Sequence, residues 1–516
     1  MRFNIKTKRA NQANNYEGAE AYTVSAALEL YATVVTTTLT DKFYESDQQR
    51  IARLRELIAK NDPQFVAKLA VYAREQMHLR SVPLVLAVEL AKVHRGDALV
   101  SRTVARVVQR ADEITELLAY YAVANQRKGA KKLSLLSKQV QKGLAEAFNR
   151  FDEYQLAKYN RATEVKLKDA LFLVHPKAKD EAQQVLFNKL VNDELQVPYT
   201  WETSLSARGQ QSFANAEEKR AAFRASWEEL IDSGKLGYMA MLRNLRNMLE
   251  AGVSMDHLQK VCTVLGDARA VAQSKQLPFR FLAAYREIKA LKRDESTRVL
   301  NALEAAVRAS AANIPGFDGN VRVLVACDVS GSMQRTISSK SVSTPGKVQN
   351  YDIGLMLGML LQHRCRRVTT GIFGDRWKVI NLPQGNILAN VDELHRREGE
   401  VGYSTNGYLI IRDLIDRRAV VDKVMIFTDC QLWNSNGYGQ AANGRETIAQ
   451  LWKQYKQIAP DAKLYLFDLA GYGNTPLDTR GNDVFFVAGW SDKVFGVLQA
   501  IEQGGQAVAD IEKIAL

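Results

Sequence analysis

At 516 residues, with 46% hydrophobic and 25% charged residues, the chain has the make-up of a soluble globular protein of two to four domains. No apolar run reaches the roughly 18 residues that a membrane span needs, and the basic start MRFNIKTKRANQANNYEG lacks the apolar stretch of a secretory signal. Four cysteines (Cys262, Cys327, Cys365 and Cys430) without CxxC spacing argue against a disulfide framework or a zinc site, and for a reduced, cytoplasmic protein.

The net charge of +13 is uneven. Residues 1–320 hold 48 Lys and Arg against 37 Asp and Glu, and within them residues 121–180 hold 13 against 6. A positive field confined to one region points to a polyanionic partner; a solvated basic face is the plain alternative.

Up to about residue 315 helix patterns follow one another. Helices are expected over 20–38 and 47–60. Asp62-Pro63 reads as an N-cap with Pro at the first helical position, and Val66, Leu69, Ala70 and Ala73 then share one face. Ser81-Val82-Pro83 opens another, with Leu84, Ala87, Val88 and Ala91 aligned. Further helices are expected at 99–122, 133–150, 165–174, 178–191, 216–231, 235–250, 254–274, 278–290 and 292–312. Paired helices at this rhythm predict an α-solenoid of the HEAT or armadillo type, taken here as HEAT-like.

Asn313-Ile-Pro-Gly-Phe-Asp-Gly319 reads as a linker. Beyond it, strands are expected at 321–328, 367–373, 377–382, 421–428, 462–468 and 483–487. Helices are expected at 347–364, 386–396, 405–417, 444–458 and 490–503. The alternation predicts a doubly wound α/β sheet. The division is therefore a helical-repeat part over 1–315 and an α/β part over 320–516.

The first strand of that sheet ends in Asp328-Val-Ser-Gly-Ser332. Open α/β sheets bind ligands at the carboxyl ends of their strands. A carboxylate and the hydroxyls of Ser330 and Ser332 there make an all-oxygen site for a hard cation, Mg²⁺ first, with Ca²⁺ or Mn²⁺ as alternatives. Asp429, after the strand at 421–428, and Thr405, in Gly402-Tyr-Ser-Thr-Asn-Gly407, supply two more oxygens. This set, in this order, resembles the metal-ion-dependent adhesion site of von Willebrand factor A (vWA) domains. Asn406 is neutral where that family's loop commonly carries an acid, and Arg335–Gly346 reads as an inserted loop. None of the six histidines adjoins these motifs, and His78 and His175 read as satisfied helix residues. There is no phosphate loop or nucleophile elbow. The reading is therefore a binding site and not an enzyme.

A basic helical part joined to a vWA-like domain resembles the Ro family of TROVE-domain RNA-binding proteins, in a bacterial member. Asn14-Asn-Tyr-Glu-Gly-Ala-Glu-Ala-Tyr22, His78-Leu-Arg-Ser-Val-Pro83, Gly237-Tyr-Met-Ala-Met-Leu-Arg-Asn-Leu245 and Leu277-Pro-Phe-Arg280 carry the resemblance. It implies a closed ring of helical repeats, Y-like noncoding RNA on the outer surface and single-stranded ends of misfolded RNA in the central hole. It also implies a monomeric protein working with an exoribonuclease such as polynucleotide phosphorylase, without DNA or membrane. The matching basic residues are Arg127, Lys128, Lys131, Lys132, Lys138 and Lys142, then Lys158, Arg161, Lys166 and Lys168. The helix at 167–176 resembles one near the Y RNA surface, although a histidine typical of its start in animal members is absent. Arg243 and Arg246, on one helix with Asn244 and Asn247, are candidates to line an inner surface that takes a single strand, with ordinary interhelix bonding as the alternative. The competing class is a protein scaffold or co-chaperone that docks an acidic partner on the metal, without RNA.

Overall fold

The computed structural model describes residues 12–14, 20–37, 47–126, 136–160, 163–311, 320–334, 348–432, 446–479, 483–489, 494, 495, 498 and 507–516. The linker at 313–319 and the inserted loop at 335–346 lie outside the described residues. So does most of the helix expected over 490–503.

Strands β1 (Gln12–Asn14) and β2 (Glu20–Thr23) form an antiparallel pair. The helix expected over 20–38 begins later, as α1 (Ala26–Val35). Pairing of Tyr22 and Thr23 with Thr475 and Asn474 draws its first residues into a sheet. The Ser25 hydroxyl caps α1 by accepting from the Leu28 N–H at 3.2 Å.

Among the described residues eleven helices follow: α2 (Asp47–Lys60), α3 (Pro63–Glu75), α4 (Ser81–Val93), α5 (Leu99–Val107), α6 (Ala111–Ala124), α7 (Lys138–Phe148), α8 (Glu153–Tyr159), α9 (Leu167–Val174), α10 (Glu181–Val191), α11 (Trp201–Gly209) and α12 (Ala216–Asp232). Asp62 caps α3, with Pro63 at its first position, as the sequence indicates. The single helix expected over 99–122 is two. Glu113 turns back to accept from the Gln109 and Arg110 N–H groups at 2.8 and 3.1 Å, which starts α6 afresh. Helices pack on their neighbour along the chain, as α3 on α4 and α4 on α5, and also on the next but one, as α3 on α5, α4 on α6, α5 on α7 and α7 on α9. This is the stacking of helical repeats. Gly143 of α7 allows the closest approach, because a Cβ there would lie 2.5 Å from the Ser101 carbonyl oxygen.

Helices α13 (Tyr238–Ala251), α14 (Met255–Gly266), α15 (Ala268–Ser274), α16 (Pro278–Ala290) and α17 (Ser296–Ala311) complete the helical series. The helix expected over 254–274 breaks at Asp267, whose carboxylate caps α15 through the Ala270 N–H at 2.8 Å. Helix α17 packs on α14, α15 and α16.

The α/β part holds β3 (Arg322–Asp328), β4 (Arg367–Phe373), β5 (Trp377–Val379), β6 (Lys423–Thr428), β7 (Lys463–Asp468), β8 (Asn474–Thr475) and β9 (Val484–Ala488). Six of these form one sheet in the order β5-β4-β3-β6-β7-β9, parallel except for β5. Helices α18 (Asn350–Arg364), α19 (Ile387–Arg396), α20 (Tyr408–Asp416) and α21 (Ile448–Ile458) connect the strands, and α22 (Ala507–Glu512) follows. Helix α18 is buried from Asn350 to Gln362, packed on β3, β4 and β6. Gly358 lets it sit close, since a Cβ would lie 2.8 Å from Cys327 Sγ. From β3 the chain turns first to β4 on one side and later to β6 on the other. The carboxyl ends of β3 and β6 thus flank the switch point where such sheets bind ligands.

The chain forms two compact units, each discontinuous. One comprises Met1–Arg50, Gly237–Glu250 and Ser254–Val508, so α13–α17 pack with the α/β sheet. The other comprises Ile51–Leu236, Ala251–Val253 and Ala509–Leu516. No helix among the described residues is long and apolar enough to cross a membrane.

Candidate metal centre and basic surfaces

The five predicted ligands converge. Asp328, Ser330, Ser332, Thr405 and Asp429 are all buried on the rim formed by the ends of β3 and β6. A 3₁₀ turn over Gly331–Gln334 folds the serines back, so that Ser330 Oγ and Ser332 Oγ stand 3.3 Å apart. The Ser330 N–H donates to Asp328 Oδ1 at 2.9 Å. The loop that carries Thr405 is tied to this turn, as the Gly331 N–H donates to the Tyr403 carbonyl at 3.0 Å. The Thr405 hydroxyl donates to the Gln431 carbonyl at 2.9 Å, which leaves its oxygen lone pairs available.

The electrostatics suit a cation. Burial pushes the Asp328 carboxyl above the ordinary aspartate range, against hydrogen bonds from Ser330 and Thr428. Asp429 is raised by burial and then by the negative charge of Asp328. Asp429 Oδ1 accepts from the Gln431 N–H at 3.0 Å, while Oδ2 is buried with no hydrogen-bond partner among the described residues. Two repelling buried carboxylates, an unpaired carboxylate oxygen and three hydroxyls are a donor set that fits a hard divalent ion. Among the described residues no group of three or more His, Cys, Asp or Glu side chains is placed to hold a metal ion, here or elsewhere, so the donor set at this rim depends on its hydroxyls.

Sequence reasoning passed over two neighbours. Thr428 donates its hydroxyl to Asp328 Oδ2 at 2.6 Å and holds that carboxylate in place. Asp468, buried at the end of β7, adds a further negative charge near Asp429. The signal for Asp468 was available: three adjacent parallel strands each end in, or lead directly into, an aspartate. Asn406 is turned away in bonding, its Nδ2 donating to the Asp375 carbonyl at 3.2 Å.

The predicted RNA-contacting residues divide between the units. Arg127, Lys128, Lys131, Lys132 and Arg161 lie outside the described residues. Lys138 and Lys142 are exposed one turn apart on α7. Lys158 of α8 lies 5.5 and 5.8 Å from the ring centres of Tyr154 and Tyr159. Lys166 is exposed at the start of α9, and Lys168 pairs with Asp193 at 3.1 Å. In the other unit, Arg243 and Arg246 are exposed on α13. Arg246 pairs with Glu250 at 2.9 Å and with Glu287 at 3.2 Å, whereas Arg243 has neither ion pair nor hydrogen bond among the described residues.

The TROVE domain family model matches residues 22–194 and 193–317, more than half of the chain. The chain belongs to the TROVE domain family. Curated relatives include telomerase protein component 1 of Rattus norvegicus, 27% identical over 337 residues, which is 50% of this chain and 12% of that protein. The Mus musculus protein of the same name is 26% identical over 301 residues, 46% of this chain and 11% of that protein. The chain thus spans about an eighth of the length of these relatives. The crystal structure of the Deinococcus radiodurans Ro (RSR) protein has the same fold, with a TM-score of 0.58 at 18% identity, over 93% of this chain and 100% of that one.

The TROVE segments act at helix ends. His78 and His175 both adopt left-handed conformations (φ of 56° and 49°) where α3 and α9 stop; they do not sit within helices as expected. Arg80 bridges to Asp112 at 3.2 Å and Glu113 at 3.3 Å. Tyr238 donates its hydroxyl to the Leu265 carbonyl at 2.8 Å and meets Phe281 edge to face at 6.3 Å, fixing α13 against α14 and α16.

Proposed function

We propose that this TROVE-family chain is the RNA-binding scaffold of a small noncoding ribonucleoprotein that acts in RNA quality control, processing or decay. The family match over more than half of the chain carries the reading. The concentration of positive charge in the same region supports it. Exposed Lys138 and Lys142, with the Lys158 side chain beside two tyrosine rings, suit a Y-like RNA through phosphate contact and stacking. Single-stranded ends of misfolded RNA are the second proposed ligand, and an exoribonuclease the proposed protein partner.

In this proposal Asp328, Ser330, Ser332, Thr405 and Asp429 hold one divalent cation, Mg²⁺ in the first instance. When bound, the ion supplies an open coordination position for an acidic group of a partner. The residues orient that position: Thr428 and the Ser330 N–H fix Asp328, and Gln431 fixes both Thr405 and Asp429. The Asp429 Oδ2 atom, without a hydrogen-bond partner among the described residues, favours a second reading, a protein-docking scaffold acting through the metal without RNA.

Purification from the native host with nucleases inhibited, followed by sequencing of the copurifying nucleic acid, decides between them. Enrichment of a small structured RNA is expected. Protein free of nucleic acid at low salt would sink the RNA reading and leave the docking one.

A further inference from the structure

The positions of Asp328, Ser330, Ser332 and Asp429 follow from where β3 and β6 end. That of Thr405 does not. It stands in the loop between α19 and α20, away from any strand end, and needs a support of its own.

The turn between β4 and β5 supplies it. Asp375 Oδ1 accepts from the Ser404 N–H at 2.8 Å, and the Gly374 carbonyl accepts from the Asn406 N–H at 3.1 Å. The residues on both sides of Thr405 are therefore gripped by adjacent residues of one turn. Asn406 Nδ2 adds the bond to the Asp375 carbonyl, and the Arg376 N–H donates to the Val401 carbonyl at 3.1 Å earlier in the loop. Loop and turn meet too closely for a Cβ on either side. One on Gly374 would lie 2.3 Å from the Gly402 carbonyl oxygen, and one on Gly402, whose φ is 77°, would lie 2.2 Å from Asp375 Cγ.

Asp375 is itself exposed, so burial does not oblige it to find partners. Its carboxyl is held below the ordinary aspartate range, first by the Ser404 hydroxyl, against some burial, and then by the Ser404 and Tyr403 N–H groups. It is a charged acceptor for the loop backbone near neutral pH, and such bonds are stronger than neutral ones. The same joint accounts for Asn406. An acid there would set its oxygens against the Asp375 carbonyl, where the amide donates a hydrogen bond. A neutral side chain at 406 is thus fitted to the turn, and the acid of this region stands at 375.

We propose that Asp375 is the positioning residue for Thr405: by gripping the Ser404 N–H it holds the threonine oxygen on the rim with the other ligands before an ion arrives. The inference rests on the metal reading above. It goes beyond that reading by placing part of the site's affinity in a residue that touches no ion.

The test uses the full chain, calorimetric titration with magnesium chloride, and melting temperature in chelator. Asp375→Ala should weaken magnesium binding about 10-fold, as loss of a residue that orients a ligand does. Asp375→Asn keeps an acceptor for the Ser404 N–H and should recover most of the affinity. Melting in chelator should hardly differ among the three proteins, because the changed side chain is exposed. Lys378→Gln, on β5 and paired with Glu400 outside this joint, should bind as the parent does. In a Thr405→Val background Asp375→Ala should have no further effect on affinity, since its action runs through the threonine. Parent-like affinity in Asp375→Ala overturns the proposal, and so does a lowered melt in chelator with affinity unchanged, which marks a brace of the fold. Asparagine as weak as alanine, or a full effect in the Thr405→Val background, also overturns it, because charge at a distance would then explain the loss. If the parent protein binds no magnesium at all, the metal reading fails and takes the positioning role with it.

Discussion

Arg286 of α16 grips Asp352 of α18 with both terminal nitrogens, Nη1 to Oδ2 at 2.9 Å and Nη2 to Oδ1 at 2.7 Å. His395 Nδ1 stands 2.9 Å from Asp352 Oδ1, and the Gln349 N–H donates to Oδ2 at 2.8 Å. The carboxylate is fully buried, so the four contacts from its three partners take the place of water. Removing one side of such a pair leaves a buried charge without compensation. Arg286→Met is therefore expected to cost about 3–5 kcal/mol of stability, and the double variant Arg286→Met with Asp352→Leu clearly less. Denaturant unfolding of the three variants checks the order; equal losses in single and double variants would count against it.

The same carboxylate gives a pH signature. Burial alone would raise it, but the hydrogen bonds from His395 and Arg286 outweigh burial and hold it below the ordinary aspartate value. A depressed carboxyl stabilises the fold at pH above its unfolded value of about 3.9 and loses that contribution as pH falls through the folded value. Stability of the parent protein should drop more steeply below about pH 4 than that of Asp352→Asn. Parallel curves over that range would show that the group does not titrate with folding.

Within the other unit, Glu113 of α6 does comparable work. It accepts from Arg74 Nη2 at 2.9 and 3.1 Å, from Arg80 Nε at 3.3 Å and from two backbone N–H groups. Glu113→Ala strands the buried Arg74 and uncaps α6, for an expected loss of about 3–5 kcal/mol. Far-ultraviolet dichroism with urea titration measures it, and a loss below 1 kcal/mol would contradict the account.

Gly143 offers a packing test free of charge. Its missing side chain lets α7 approach α5, with Val104 Cβ only 2.6 Å from where a Cβ would stand. Gly143→Ala should destabilise by about 1–3 kcal/mol through overpacking, despite alanine's better helix propensity. A stabilised variant would mean that the helices move apart cheaply.

The metal proposal predicts opposite signs with and without the ion. In chelator, Asp429→Asn should melt above the parent protein, since a buried like-charge repulsion is gone. With magnesium at about a hundred times its dissociation constant the parent protein should gain about 2.7 kcal/mol, and Asp429→Asn should gain little. Identical responses to magnesium in a thermal-shift assay would refute the assignment.

Much of this was legible in the residues. The run from Val321 to Asp328 reads as a doubly buried strand, and β3 is buried from Val323 to Asp328; the proposed oxygen ligands come together because β3 and β6 end side by side and the loop of Thr405 is tied to the turn after β3. Periodicity failed where a tertiary partner took over. Tyr22 and Thr23 continue a helical pattern but pair with β8. Asp267 and Glu113 look like ordinary helix residues until their carboxylates turn back on backbone N–H groups and start new helices. Helices α8 and α11 went unread; α11 buries none of its residues, and so has no core-facing stripe to show.

Helix α1 and its surroundings bear on how the chain can be taken apart. Leu30, Tyr31, Val34 and Val35 are buried, Tyr31 donates to the Ala488 carbonyl at 3.1 Å, and Arg50 reaches the Ala470 and Gly471 carbonyls at 2.5 and 2.9 Å. A fragment cut at the linker near residue 320 would carry β9 without this cover. It would present a naked apolar face and three carbonyls without these donors to solvent. Such a fragment should aggregate or be digested, and adding residues 12–50 in trans as a separate peptide should rescue it. The α/β half is therefore closed by a helix from the far side of the helical series, α1 over β9, and no single scissor cut yields it whole.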